Sequence, residues 1–280
     1  MLKKLYTDNT RVVLAAIMWG TSGAFIKYLG LSPGLIGFFR VALPVLVFGG
    51  LIIYRRERVF GHGIQVVLLA SLVNAFRLFF YFIGFLNAPI GNAIIILYSW
   101  PIFAVVFSHF FLGEPLPLIN KFMLILAMIG ISFVFADKSF HLGNEVVMGM
   151  LAMLFSAALN AASVVLFKHQ SSKFSSTQIV FFQNFIGALL FSPFLFMGFD
   201  QLTVHKTMVS SFYAILVGVV GYGMFFLSLK KINASTASFL TYIEVVSAVL
   251  FGVLLFNEVL SWNEILGGVT IILASVFLRK

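Results

Sequence analysis

The chain has 280 residues, of which 61% are apolar and only 10% are charged, and its formal net charge at pH 7 is +9. Water-soluble domains carry about 45–50% apolar and about 25% charged residues, so too few charges are present to cover a globular surface in water. The chain has no cysteine, which excludes disulfides, thiolate metal sites and cysteine nucleophiles. This composition indicates an integral membrane protein.

Ten apolar segments are each long enough to cross a bilayer, for which a helix needs about 20 residues. In chain order they cover roughly 12–31, 34–54, 63–86, 89–112, 118–136, 146–168, 176–197, 208–229, 235–256 and 260–278. The apolar residues run all round each segment, as in lipid-embedded helices, and the alternation typical of a β-barrel does not occur. We therefore predict an all-α membrane protein with ten transmembrane helices, called spans one to ten below.

The basic residues are distributed unevenly between the two sides of this arrangement. With the N-terminus in the cytoplasm, the cytoplasmic Lys and Arg residues are Lys3, Lys4, Arg11, Arg55, Arg56, Arg58, Lys121, Lys168, Lys173, Lys230, Lys231, Arg279 and Lys280. Only Lys27, Lys138 and Lys206 fall on the outer side. The positive-inside rule therefore predicts that both termini are cytoplasmic. Because the basic residues lie in short runs between spans, we expect a lipid bilayer as partner and no nucleic acid.

The two halves of the chain resemble each other. A shift of 144 residues places 89–136 on 233–280, and a shift of 141 residues aligns the ends of spans one and six. The matched pairs include Ala93 with Ala237, Tyr98 with Tyr242, Glu114 with Glu258 and Lys27 with Lys168. The halves, 1–140 and 141–280, then hold five helices each, and this odd number inverts the second half. Inverted repeats are typical of secondary transporters, which bind substrate between the repeats near the midplane.

Some of these residues also resemble those of a known family. Trp19-Gly20 in span one, Phe39-Arg40 in span two and the glutamates that end spans four and nine are similar to the drug/metabolite transporter superfamily, EamA family, over essentially the whole chain. The resemblance implies that spans one to four and six to nine enclose a central cavity. Spans five and ten would pack at the periphery.

Two shorter segments carry a finer resemblance. Leu97-Tyr98-Ser99-Trp100-Pro101 is similar to the Tyr-x-Trp-Pro segment of YddG-type aromatic amino-acid exporters. Tyr242-Ile243-Glu244 resembles the Tyr-x-Glu-Pro segment common in the second half of the family, with Val245 in place of the final proline.

Three ionisable side chains lie well inside the predicted spans. A charged residue in mid-membrane costs about 2.5–3.5 kcal/mol, so Glu244 is expected to face a cavity or a partner, and we predict that it carries a proton or binds a substrate ammonium. The alternative is a structural, hydrogen-bonded acid. Arg77 is predicted either to bind a substrate carboxylate or to pair with an acid such as Glu244. Arg40 is assigned a structural or gating role, and Lys27 is expected to be solvated near the outer surface.

Aromatic and amide side chains complete the predicted substrate cavity. They are Trp19, Tyr81, Tyr98, Trp100, Asn160 and Tyr242. Tyr98 and Trp100 are two residues apart, so a regular helix would turn them to nearly opposite faces. Both line one cavity only if the helix is distorted, and Pro101 supplies a cause because it removes the hydrogen bond to the Leu97 carbonyl.

No enzyme motif is present: the sequence has no phosphate-binding loop, no zinc-binding helix and no nucleophile elbow. We therefore predict no catalysis, no cofactor and no metal. The predicted function is a secondary transporter that moves small amphipathic metabolites, most readily amino acids, across a bacterial inner membrane, with export implied by the resemblance. A proton-coupled exporter of organic cations and a passive pore or scaffold are the alternatives. Ten helices enclose a cavity alone, so a monomer suffices.

Overall fold

The computed structural model describes residues 2–57, 61–136, 138, 143–170, 173–229 and 240–277, and the regular structure in these ranges is helical throughout. Within these ranges, eight helices are long and apolar enough to cross a membrane: Asp8–Leu29, Pro33–Arg55, Ile64–Asn87, Ile90–Leu112, Leu118–Phe135, Glu145–Lys168, Ser176–Met197 and Val204–Phe225. Two shorter apolar helices, Ile243–Phe256 and Trp262–Phe277, occupy spans nine and ten. The predicted ten-span, all-α architecture is confirmed.

Parts of several predictions lie outside the described residues. These are the first part of span nine, with Ala237, the boundary between the halves at 140 and 141, and the basic residues Arg58, Lys230, Lys231, Arg279 and Lys280.

Local sequence explains where several spans begin and end. Pro33 is the first residue of span two, a position that needs no backbone donor. Gly30 and Gly113 end spans one and four with φ of 54° and 67°, the left-handed conformation that only glycine adopts without strain. Ser175 and Gln178 form a capping box at the start of span seven. Among the described residues, short turns therefore separate these spans.

Spans five and ten pack against each other outside the rest of the bundle. Gly130 and Gly267 meet at their contact, where a β-carbon on Gly267 would lie 2.6 Å from the Gly130 carbonyl oxygen. Glycines at such positions let two helix backbones approach closely. Lys138 and Glu264 add an ion pair of 2.9 Å, and Asn92 of span four donates to the same carboxylate at 2.7 Å. This peripheral pair agrees with the arrangement that the family resemblance implies.

A group of large, fully buried apolar side chains lies at the membrane face where span one ends. They come from the ends of spans one and three and from the starts of spans two and four, and include Ile26, Leu29, Leu35, Ile36, Phe82, Phe85 and Ile90. Each of these is at most 1% exposed, so this end of the bundle is closed by direct apolar packing.

We predict that Gly267→Ala lowers the thermal unfolding temperature of the purified protein in detergent. The added methyl group would have to displace the Gly130 backbone, and overpacking of this kind costs about 1–3 kcal/mol. Gly50→Ala is the matched control, because a β-carbon there has no neighbour within 4 Å. Equal unfolding temperatures for the two variants would contradict the close contact between spans five and ten.

Candidate functional site

A cavity of about 250 Å³ lies between the two halves of the chain. Its walls come from spans one to four and six to nine, and no described residue of spans five or ten lines it. The lining residues are Trp19, Ser22, Arg40, Asn74, Arg77, Leu78, Tyr81, Leu97, Tyr98, Trp100, Asn160, Ser163, Val164, Phe167, Gln183, Tyr213, Val217, Tyr222 and Glu244. Two guanidinium groups and one carboxyl group are the ionisable charges of this wall.

Most of the residues predicted from the sequence meet at this cavity. Trp19, Arg77, Tyr81, Tyr98, Trp100, Asn160 and Glu244 all line it. Tyr242 instead lies one layer back, where its ring packs on Tyr98 with centroids 5.3 Å apart. Arg40, which was predicted to have a structural or gating role, is itself a lining residue.

Span four is interrupted at the cavity. Its two helical segments, Ile90–Leu97 and Trp100–Leu112, meet at Tyr98 and Ser99, whose ψ angles are 5° and −9°. Pro101 is the second residue of the later segment. The predicted distortion is therefore confirmed, and it allows Tyr98 and Trp100 to reach the same cavity.

Span nine turns at the matching place in the second half. The helix Ile243–Phe256 begins after Tyr242, and the Val245 amide donates to the Tyr242 carbonyl at 3.0 Å. Val245 corresponds to Pro101 at the 144-residue shift, so this turn forms without a proline. Glu244 lies in the first turn of the helix that follows, where the positive end of the helix dipole stabilises a carboxylate.

One hydroxyl connects the two interrupted spans. The Tyr98 oxygen lies 2.8 Å from Oε2 of Glu244 and 2.7 Å from the Thr241 carbonyl oxygen. A phenol has a single proton, so when Glu244 is ionised these two acceptors compete for it. When Glu244 is protonated, it donates to the Tyr98 oxygen and Tyr98 donates to Thr241. The protonation state of Glu244 therefore decides how this contact between the halves is made.

The two arginines are held by neutral groups. Arg77 donates from Nε to Oδ1 of Asn74 at 3.1 Å, and its guanidinium carbon lies 5.7 Å from the Tyr81 ring centroid. The Arg40 guanidinium carbon lies 5.4 Å from the Tyr222 ring centroid. Within the described ranges, no ion pair joins either arginine to Glu244, so the predicted alternative of an Arg77–Glu244 pair is not formed. The cavity thus has more positive than negative charge.

Span eight makes room for two of the lining side chains. It contains a π-helix, Ala214–Gly221, an irregularity often found at functional sites. A β-carbon at Gly218 would lie 2.7 Å from Nη1 of Arg40, and one at Gly221 would lie 2.8 Å from Nε1 of Trp19. That indole nitrogen is buried and has no hydrogen-bond partner among the described residues. The two glycines therefore allow Arg40 and Trp19 to pack directly on span eight.

Sequence reasoning missed several lining residues. Tyr213 and Tyr222 flank the π-helix. The sequence feature that could have indicated them is the pair of glycines between them, Gly218 and Gly221. The 141-residue shift places Ser22 on Ser163, so the repeat could have revealed this pair of lining serines.

Comparison with known proteins identifies the type of molecule. The family model described as "EamA-like transporter family" matches residues 10–136 and again 147–279. The pseudopaline exporter CntI of Pseudomonas aeruginosa is 27% identical over 279 residues, covering 96% of this chain and 94% of that protein. The S-adenosylmethionine uptake transporter of Rickettsia conorii is 24% identical over 291 residues, covering 99% and 94% of the two chains.

Two further matches have lower sequence identity. Solute carrier family 35 member G1 of Mus musculus is 20% identical over 278 residues, covering 94% of this chain and 75% of that protein. A crystal structure matches with a TM-score of 0.61 and 18% identity, covering 97% of this chain and 96% of the other. At this identity, the structural match shows the fold alone.

We expect Tyr98→Phe to destabilise the protein by about 1–3 kcal/mol, because a buried carboxyl and a carbonyl lose their shared partner. The measurement is thermal unfolding in detergent. Tyr28→Phe is the matched control: it also removes a hydrogen bond, to Nε2 of His205 at 3.0 Å, but at an exposed site. If both variants unfold at the wild-type temperature, the Tyr98 contact does not connect the two halves.

Proposed function

Since the chain belongs to the EamA-like transporter family, we propose that it is a secondary transporter for small metabolites that carry both a carboxylate and an ammonium, most readily amino acids. Transport proceeds by alternating access, with the cavity exposed first to one face of the membrane and then to the other. The observation that carries the proposal is the set of complementary groups in one cavity.

The charges of the cavity support this cargo. Arg40 and Arg77 both line the cavity, and guanidinium groups bind carboxylates through two parallel hydrogen bonds. Glu244 offers a site for an ammonium in the same cavity. Trp19 and Trp100 provide aromatic faces for an apolar side chain or a cation. A volume of about 250 Å³ favours a small molecule, because pockets for larger ligands usually measure about 300–1,000 Å³.

Glu244 is also the group best suited to couple transport to protons. Its protonation changes the hydrogen bond that Tyr98 makes between spans four and nine. A proton that binds there would therefore alter a contact between the halves as well as the charge that the cargo meets. No other carboxyl group lines the cavity in the described part of the chain.

The direction, the membrane and the assembly are part of the same proposal. We assign export, in line with the Pseudomonas aeruginosa relative, whereas the Rickettsia conorii relative is an uptake transporter. The chain is a multi-pass membrane protein, and we place it in a bacterial inner membrane with both termini in the cytoplasm. Residues 1–140 and 141–280 form the two inverted repeats, and a monomer contains the whole cavity.

The two alternative functions predict different measurements. The cavity of an organic-cation exporter has to attract a positively charged cargo. Here the two cationic side chains, Arg40 and Arg77, outnumber the one carboxyl group, Glu244, in the cavity wall. Competition assays with amino acids and with their decarboxylated amines separate these cargo classes, since only the amino acids retain the carboxylate. A passive pore would conduct without saturation, whereas a transporter saturates with cargo concentration.

We predict that Glu244→Gln and Trp100→Ala each reduce kcat/KM for labelled aromatic amino acids in proteoliposomes by about tenfold or more. For Glu244→Gln, loss of a charge-assisted hydrogen bond of about 1.5–3 kcal/mol has this effect. For Trp100→Ala, the loss is that of an aromatic face in contact with the cargo, which is worth up to about 2 kcal/mol when it is desolvated. The pH dependence of flux should also be flatter in Glu244→Gln.

Exposed residues of the same types provide the controls. Glu145→Gln and Trp262→Ala change an exposed glutamate and an exposed tryptophan that do not line the cavity, and we expect wild-type flux from both. Unchanged flux in Glu244→Gln and Trp100→Ala would refute the assignment of the cargo site.

A further inference from the structure

Two ion pairs occupy equivalent places in the two repeats. Lys27, at the end of span one, pairs with Glu258, just after span nine, at 2.7 Å. Lys168, at the end of span six, pairs with Glu114, just after span four, at 2.6 Å. The shifts of 141 and 144 residues place Lys27 on Lys168 and Glu114 on Glu258. The first span of each repeat is therefore joined to the fourth span of the other repeat.

The two pairs lie at opposite faces of the membrane. Spans one and nine are both odd-numbered and end at the same face, which we call the Lys27 face. Spans four and six are both even-numbered and end at the other, the Lys168 face. The position of Lys27 also corrects the expectation that it is solvated, because its ammonium is bound to a carboxylate across the repeat interface.

The pairs differ in how tightly they are enclosed. The Lys27 and Glu258 side chains are 20% and 13% exposed, whereas those of Lys168 and Glu114 are 57% and 45% exposed. The apolar packing of Leu29, Leu35 and Phe85 closes the Lys27 face. On span six the cavity lining reaches Phe167, next to Lys168.

Glu258 does more than neutralise a lysine. Its carboxylate also accepts from the backbone amides of Ile90 and Gly91 at 2.9 and 3.3 Å, at the start of span four. The Lys27 ammonium lies 5.8 Å from the Phe256 ring centroid. Breaking the pair would therefore release span one from both span nine and span four, which all contribute to the cavity wall.

We infer that Lys27–Glu258 and Lys168–Glu114 are the two gates of the transport cycle, and that one pair is enclosed at its face of the membrane while the other is exposed at the opposite face. This inference rests on the proposed function as a transporter. The structure represents the state in which the Lys27 gate is closed and the Lys168 gate is the looser of the two. Passage to the opposite state breaks the first pair and encloses the second, so removing either pair shifts the balance between the two states.

The absence of native cysteine allows a direct test. Ser22→Cys and Ser163→Cys place single thiols in the cavity wall, each five residues before a gate lysine and equivalent under the 141-residue shift. A membrane-impermeant maleimide is applied to intact cells and to inside-out vesicles. The measured quantity is the ratio of labelling from the Lys27 face to labelling from the Lys168 face. Tyr28→Cys, an exposed position beside Lys27, identifies which preparation presents the Lys27 face.

We expect Glu258→Gln to raise the labelling ratio roughly fivefold and Glu114→Gln to lower it by a similar factor, as for loss of a partly buried ion pair. Lys27→Met should act like Glu258→Gln while leaving the bonds from Glu258 to span four in place, which provides a second variant if the first does not fold. The exchanged pair, Lys27→Glu with Glu258→Lys, should return the ratio only part of the way towards the wild-type value, because a lysine at position 258 cannot accept from the Ile90 and Gly91 amides.

The Lys138–Glu264 ion pair is the matched control, since it joins spans five and ten outside the cavity, and Glu264→Gln should leave the ratio unchanged. A ratio that is unmoved by the gate variants, or moved in the same direction by both pairs, would overturn the inference. Labelling requires no cargo. If the labelling ratio shifts as expected but no amino-acid flux is measured, the gate assignment stands and the proposed cargo is refuted. If amino-acid flux is measured but the gate variants leave the labelling ratio unchanged, the proposed cargo stands and the gate assignment is refuted.

Discussion

The bilayer requires every backbone amide and carbonyl within it to find a partner in the protein, and the architecture follows from this requirement. Regular helices meet it automatically, so most of each span is uninterrupted. Spans four, eight and nine depart from regular geometry, and all three do so where they border the cavity. Irregular backbone is tolerated at this depth only beside a cavity or inside the protein. The helix interruptions and the buried charged side chains therefore both occur at the cavity.

The polar side chains of the cavity wall use only part of their hydrogen-bonding capacity on one another, which leaves some of it for a polar ligand. Arg77 rests on an amide and a tyrosine ring, while Glu244 shares one hydroxyl with a carbonyl. Pairing Arg77 with Glu244 would have neutralised both groups and left little for a cargo to bind. Their separation leaves a guanidinium and a carboxyl group unpaired with each other in one cavity. Because a zwitterion would satisfy both at once, this arrangement is the basis on which we propose amino acids as cargo.

The second half repeats the first in geometry more closely than in sequence. Tyr98 and Tyr242 both stand at a helix turn, although Pro101 is replaced by Val245. The two gate pairs also match, because each joins a lysine at the end of one repeat's first span to a glutamate after the other repeat's fourth span. The exposed fractions of their side chains differ. Symmetric connectivity combined with asymmetric packing is what the proposed alternating access requires, because exchanging the packing of the two halves would interconvert its two states.

Composition and hydropathy alone determined the ten spans, because burying a helix in lipid demands about 20 apolar residues wherever it occurs. The intramembrane charges likewise indicated a polar interior, and seven of the predicted residues line one cavity. Only the tertiary structure decided that Arg40 faces this cavity, that Tyr242 lies behind Tyr98, and that Lys27 is paired with Glu258. These facts depend on how each helix is rotated and on which distant helix it meets. A uniformly apolar sequence carries no periodic signal for that rotation, so packing between the repeats sets it.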